Sequence, residues 1–253
     1  MFKKTAVTMC LTLLGLGTSG LSHAGKIVLA NDEWTLSNSG YANNANTGTF
    51  VNNVADWFTG GSSGNFLAYS SNFGLVQSGL ANTMATAGHS WTVSTGVTFD
   101  LATISAYDAV YLAGNVADNQ VLIDYVNGGG NVYLAGGTGW GGPLNEANSW
   151  NTFLNEFGLG FGTFYNGVCC NMATISTHEI FDGVSSLYQN NGNDSIDINV
   201  TDPSAQVLVS FAGHGLYAVY DSSVGVPAPA SIFIMLFGLG GLALRRTTDG
   251  KAA

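Results

Sequence analysis

Apolar positions along this chain fall into two kinds of run, and residues 107–142 contain both. Residues 109–113 are apolar without interruption. Over 118–127, Val121, Leu122, Tyr125 and Val126 recur at helical spacing, three glycines follow at 128–130, and a second unbroken run occupies 132–135. The pattern predicts strand, helix, strand. Continuous apolar strands are those covered on both faces, as in a parallel sheet. The helix buries one stripe, and glycine suits the left-handed turn that ends it. Ligands of such folds gather beyond the carboxyl ends of the strands, which makes the loop 136–142 the first place to look for function.

The remaining pattern extends this unit in both directions. Lys26–Ala30 reads as a buried first strand and Asn65–Tyr69 as a second. Between them lies a polar stretch, 37–49, read as a loop. A helix follows, carrying Phe50, Val51, Val54, Trp57 and Phe58 and stopped by Gly60 and Gly61. Leu75, Val76, Leu80 and Met84 mark another helix, closed by Gly88. Residues 90–95 alternate, which suits a sheet edge. Beyond the central unit, Ala147, Trp150, Phe153, Leu154 and Phe157 form a helical stripe with Pro143 near its start, and 158–174 reads as an irregular excursion. Ile196, Ile198 and Val200 alternate, and 207–211 with 216–220 make a hairpin around residues 212–215. The expected fold is α/β: a mostly parallel sheet flanked by helices, with extra β-rich elements near the C-terminal end of the domain.

Composition separates the two ends from this domain. Lys3 and Lys4, an apolar stretch over 5–16 and the small-residue end Ser22-His23-Ala24 read as a secretory signal peptide, residues 1–24, for signal peptidase to remove. Cys10 leaves with it. At the other end Val226, Pro227, Ala228 and Pro229 precede an apolar run over 232–244 and the pair Arg245 and Arg246. Thirteen residues at about 1.5 Å each give roughly 20 Å, short of the ~30 Å hydrocarbon core. Residues 25–225 then form one domain of ordinary size. Lys26 is its single basic side chain against fifteen acidic ones, a net charge of −14 with histidine neutral. Nucleic acid needs cations to neutralise its phosphates, so that partner is excluded, and nucleotide cofactors fall with it. No cofactor is expected, although such a surface suits calcium.

The tail over 226–253, proline motif, short apolar helix and arginine pair, resembles the PEP-CTERM sorting signal, in which glutamate usually stands where this chain has Ala228. The resemblance implies export in a Gram-negative bacterium that makes exopolysaccharide. It also implies transient anchoring of the C-terminal helix in the inner membrane, recognition by an exosortase-type enzyme, and a destination at the cell surface or in the extracellular matrix. Within the domain, residues 27–33, 107–114, 124–130 and 178–184 resemble the class I glutamine amidotransferase-like superfamily, which implies a flavodoxin-like fold. Catalytic members of that superfamily carry a cysteine on the turn after the strand matching 132–135. Here that turn reads Gly136-Gly137-Thr138-Gly139, so amidotransferase activity is not implied.

Several side chains are candidates for chemistry at the strand-end rim. Asp32, Glu33 and Glu146 are carboxylates able to reach it, and glycoside cleavage needs two at a set separation. Thr138 would act as a nucleophile only with a base beside it, His178 or His214. Trp34 and Trp140 would serve as platforms for sugar rings, with Gly137 and Gly139 letting a ligand approach the backbone. Residues 137–142 also fit G-x-G-x-x-G, but late in the sheet and without a basic partner, so tight-turn glycines are the better reading. Asn193, Asp194 and Asp197 have calcium-ligand chemistry without the EF-hand pattern, or form a polar turn. The disulfide candidates Cys169 and Cys170 would close a ring together, pair with another chain or stay free. The leading expectation is a non-catalytic exported protein that binds or builds the exopolysaccharide layer. The alternative is an extracellular hydrolase of a glycan or related polymer, with Asp32, Glu33, Thr138 and His178 at the rim.

Overall fold

The computed structural model describes residues 25–224. The signal peptide expected over 1–24 and the sorting tail over 226–253, with Val226, Pro227, Ala228, Pro229, Arg245 and Arg246, lie outside the described residues. Among those described, no helix is long and apolar enough to cross a membrane.

In chain order the elements are β1 (Lys26–Ala30), a 3-10 turn (Glu33–Leu36), α1 (Asn38–Asn43), α2 (Thr47–Thr59), β2 (Asn65–Tyr69), α3 (Phe73–Val76), α4 (Ser78–Thr86), β3 (Ser90–Val93), α5 (Leu101–Ile104), β4 (Ala109–Leu112), α6 (Asn119–Asn127) and β5 (Asn131–Ala135). Next come α7 (Pro143–Glu156), β6 (Leu159–Phe161), β7 (Cys169–Ala173), a second 3-10 turn (Glu179–Phe181), β8 (Ser186–Asn190), β9 (Ser195–Asp197), β10 (Ala205–Phe211) and β11 (His214–Asp221). The main sheet runs β10-β11-β1-β5-β4-β2-β3. Its five strands from β1 to β3 are parallel, and β11 and β10 extend it antiparallel beyond β1. Two small antiparallel pairs, β6 with β9 and β7 with β8, complete the β structure of the described residues.

Alternate side chains of each central strand feed two different cores, which is why β4 is apolar throughout and β1 and β5 are apolar after their first residues, Lys26 and Asn131. Val28, Phe66, Tyr111 and Tyr133 pack under α2 and α4 on one face. Leu29, Leu67, Val110 and Leu134 pack under α6 and α7 on the other. The helices after β1 and β2 therefore lie on one face, and those after β4 and β5 on the other. In the sheet β2 neighbours β4 and β1 neighbours β5, so at each of these boundaries the two outgoing chains part to opposite faces. A crevice opens at the carboxyl ends of the strands where they do so.

Several expectations change in detail. The stretch 37–49 holds α1 and the start of α2 rather than a loop. Ser37 caps α1, its hydroxyl oxygen accepting from Gly40 N–H at 3.1 Å, and a Cβ on Gly40 would lie 2.0 Å from the Thr35 carbonyl. The helix marked by Leu75 to Met84 is two, α3 and α4, broken at Gln77, which is extended. The excursion over 158–174 contains β6 and β7. The alternating Ile196, Ile198 and Val200 bury no face: they are 37%, 50% and 85% exposed, and the strand ends at Asp197. The final hairpin turns on Ala212 and Gly213 at φ 51° and 87°, the conformation that two-residue hairpin turns require.

Lys26, the one lysine or arginine of the described residues, serves the fold. Its Nζ donates to the Trp57 carbonyl at 2.7 Å, in the last turn of α2, and lies 4.7 Å from the centre of the Trp57 ring. A cation there complements the negative end of the helix dipole and the face of the indole. Lys26→Met is expected to lower the unfolding free energy by about 1 kcal/mol. Urea denaturation measures this, and an unchanged midpoint would contradict the assignment.

Candidate functional site

The crevice between β1 and β5 is built from carboxyl groups that have left water. Asp32, Glu33 and Glu146 are 1%, 4% and 1% exposed. Asp32 lies two residues past β1 and caps the 3-10 turn, one oxygen accepting from Trp34 N–H at 2.8 Å and the other from Asn190 N–H. Glu146 stands in the first turn of α7, where the helix dipole favours an anion. It reaches back to the β5 loop and accepts from Gly137 N–H at 2.8 Å, Thr138 N–H at 2.7 Å, the Thr138 hydroxyl and the Asn193 amide at 3.1 Å. Gly137 sits at φ 67°, and a Cβ there would lie 2.6 Å from Gly192 Cα. A Cβ on Gly192 would lie 2.0 Å from the Asn31 carbonyl, so only bare backbone fits between β1 and β5.

With no cation beside them among the described residues, these carboxyls hold their protons more tightly than usual. Burial pushes Glu33 up to about 9, helped by repulsion from Asp32 and Glu146. Burial also lifts Asp32 to about 6 against the pull of its two backbone donors. Glu146 is raised by burial, and its donors from Thr138, Gly137 and Trp140 oppose the shift. Glu33 is thus a neutral acid at pH 7. Its Oε2, both amide atoms of Asn31 and Asn193 Oδ1 are buried with no hydrogen-bond partner among the described residues.

The second crevice, between β2 and β4, is open. A groove of about 220 Å³ lies there, lined by Ser71, Asn72, Gly114, Asn115, Thr138, Gly139 and Trp140. No lining side chain carries a charge. Asn72 turns its amide oxygen to Gly74 N–H at 2.7 Å and Asn115 turns its own to Ser71 N–H at 2.7 Å. Those bonds fix the loops and direct each NH₂ elsewhere. A larger hollow of about 500 Å³ opens at the amino ends of the strands, among Thr59, Tyr107, Asp108, Asp124 and Gly129. Its carboxylates are engaged by Asn65 N–H and the Gln120 side chain, and it lies away from the chain divergence that makes strand-end sites. The smaller groove is the better candidate.

The structure gathers some of the expected residues and separates others. Asp32, Glu33, Glu146 and Thr138 share the rim. His178 does not: it caps the 3-10 turn Glu179–Phe181, packs edge-on against Trp57 at 5.1 Å and feels Lys26 and Asp221. That is the amino end of β1, roughly 16 Å from Asp32 by the length of the strand at about 3.3 Å per residue. His214 bonds Asp194 at 2.8 Å. Of the expected ligand contacts, Gly139 and Trp140 line the groove. Gly137 is buried with its N–H on Glu146, and Trp34 packs edge-on against Phe73 at 4.6 Å.

The calcium candidates divide as well. The Asn193 side chain faces Glu146, Asp194 faces His214, and the side chain of Asp197 lies outside the described residues. Among the described residues no three His, Cys, Asp or Glu side chains form a metal-binding group. In the G-x-G-x-x-G loop an internal carboxylate occupies the N–H groups that would cradle a phosphate, and Gly137, Gly139, Gly141 and Gly142 all take positive φ. Cys169 and Cys170 lie in β7. Sequence pattern does not single out Ser71, Asn72 and Asn115, although each lies two or three residues past a strand end, and that position is the signal that finds them. Comparison with protein-family models, with curated proteins and with solved structures finds no match to this chain.

The raised Glu33 pKa fixes the sign of a pH dependence. The folded chain holds a proton that the unfolded chain releases above its ordinary pKa of 4.5. This contribution is complete below that value and is lost as pH rises through about 9. Stability is expected to fall steadily from pH 5 to 9, and Glu33→Gln to flatten the curve between about pH 6 and 9. Chemical denaturation across that range measures both. A wild-type stability that rises with pH would contradict the burial of a protonated Glu33.

Proposed function

We propose that the chain is a non-catalytic exported module that binds neutral polysaccharide in the exopolysaccharide layer of its bacterium, delivered there by the signal peptide and an exosortase-type sorting system. The observation that carries the reading is the character of the open groove: one tryptophan beside amide and hydroxyl side chains, at a strand-end crevice, with no charged group in its lining. The C–H face of a sugar ring packs against an indole, and hydroxyls of the ring hydrogen-bond to amides, so such a groove suits a neutral glycan. The charge of the domain, −14 with histidine neutral, disfavours polyanions. The carboxyls that a glycosidase would use, Asp32, Glu33 and Glu146, are buried, and backbone donors bind two of them, Asp32 and Glu146. Of the two histidines expected to serve as base, His178 lies at the other end of β1 and His214 is bonded to Asp194.

One contact favours a second reading. The Thr138 hydroxyl donates to Glu146, as a nucleophile does to its base. Three other donors hold the same carboxylate, which fits a structural bond better than a proton acceptor that must turn over.

Incubating the protein with exopolysaccharide from its own bacterium separates the two. Co-sedimentation without released reducing ends is expected, little changed by added salt because no ion pair is involved. Trp140→Ala is expected to weaken retention about tenfold, or about 1.4 kcal/mol. Release of reducing ends that Thr138→Val abolishes would replace the binding module with the hydrolase.

A further inference from the structure

Successive side chains of a strand point to opposite faces, so neighbouring cysteines in a regular strand hold their sulfurs apart. In β7 they do not. Cys170 takes φ 75°, a left-handed conformation uncommon for any residue with a Cβ. The twist turns its side chain to the side of Cys169, and the two Sγ atoms lie 2.6 Å apart. Both thiols are exposed.

The surroundings hold this conformation from both sides. β7 pairs with β8 along its length, Cys169 opposite Asn190 and Cys170 opposite Gln189. The Gln189 side chain is buried and donates to Tyr217 at 2.7 Å. One residue on, Asn171 bonds Asn44 at 3.0 Å and the Asn43 carbonyl at 2.9 Å. An uncommon backbone conformation fixed by its neighbours is a mark of a functional position, and here it brings two redox-active atoms together.

We infer that Cys169 and Cys170 form a redox modification site that closes reversibly into a vicinal disulfide ring in the oxidising compartment to which the export signal points. The oxidant is an organic or protein disulfide. One cysteine thiolate attacks a sulfur of that disulfide, breaking its S–S bond, forming a mixed disulfide and expelling a first thiolate. The neighbouring cysteine loses its proton and attacks the cysteine sulfur of the mixed disulfide. The Cys169–Cys170 bond forms and the second thiolate leaves. Two electrons pass from the cysteine pair to the disulfide, and the two departing thiolates take up the two protons. The second attack needs no diffusion, so it outruns reaction with another chain. Closure thereby removes two exposed thiols that would otherwise cross-link copies of the protein.

The test uses the full chain with Cys10→Ser, so that only this pair reports. The reduced protein is exposed to oxidised glutathione, quenched with N-ethylmaleimide, and examined by peptide mass mapping and non-reducing electrophoresis. The expected product is a monomer in which neither cysteine carries maleimide or glutathione and the peptide holding both has lost two hydrogens. Cys169→Ser and Cys170→Ser are each expected to retain one glutathione. Retention of glutathione by the unsubstituted pair, alkylation of both thiols, or disulfide-linked dimers would each overturn the ring.

Discussion

The constraint on which this structure depends is the near absence of cations. A domain with fifteen carboxylates and one lysine cannot neutralise buried acids by ion pairing. Lys26 is already engaged at the end of α2. The fold uses backbone N–H groups instead, which carry partial positive charge and need partners of their own. Trp34 and Asn190 supply them to Asp32, and Gly137 and Thr138 supply them to Glu146. Among the described residues Glu33 Oε2 has no donor, and Glu33 remains protonated. Each carboxylate thereby ties together segments distant in sequence. Glu146 joins α7 to the β5 loop and to Asn193, and Asp32 joins β1 to β8.

This way of holding the rim shapes what the rim can do. A carboxylate bound by several rigid donors is a good staple and a poor general base, because taking a proton would break the bonds that position it. The β5 loop, with its N–H groups turned inward to Glu146, is likewise closed to phosphate. What remains outside is the neutral groove between β2 and β4, where the chains part to opposite faces of the sheet. Its chemistry is that of amides, hydroxyls and one indole. On the proposed reading the neutral groove meets uncharged polymer, while the like charge of the acidic exterior keeps copies apart.

Local pattern carried much of the architecture. β1 and β2 were bounded to the residue, and α6, β5 and the closing hairpin within a residue or two, because each depends on contiguous apolar runs and nearby glycines. Elements whose stability is non-local were not legible. α1 is Asn- and Ser-rich, with no apolar stripe, and exists because Ser37 caps it and Gly40 lies against Thr35. β7 and β8 pair over a long loop and show no alternation that separates them from coil. The alternation of Ile196, Ile198 and Val200 misleads because all three side chains stay exposed. At the site, the rim carboxylates were visible from their place after β1 and at the start of α7, whereas their burial and their donors were not. His178 fits a rim base by residue type alone, and the fold carries it to the other end of the sheet.

The most direct test of the neutral strand-end groove as the proposed binding site is a crystal structure of the protein with a neutral oligosaccharide. The expected result is an intact sugar ring stacked on Trp140, with hydroxyls bonded to Asn72 and Asn115 and Glu146 still bound to Gly137 and Thr138. A sugar displaced toward Glu146, with the Thr138 hydroxyl released from the carboxylate and the glycosidic bond cleaved, would contradict it.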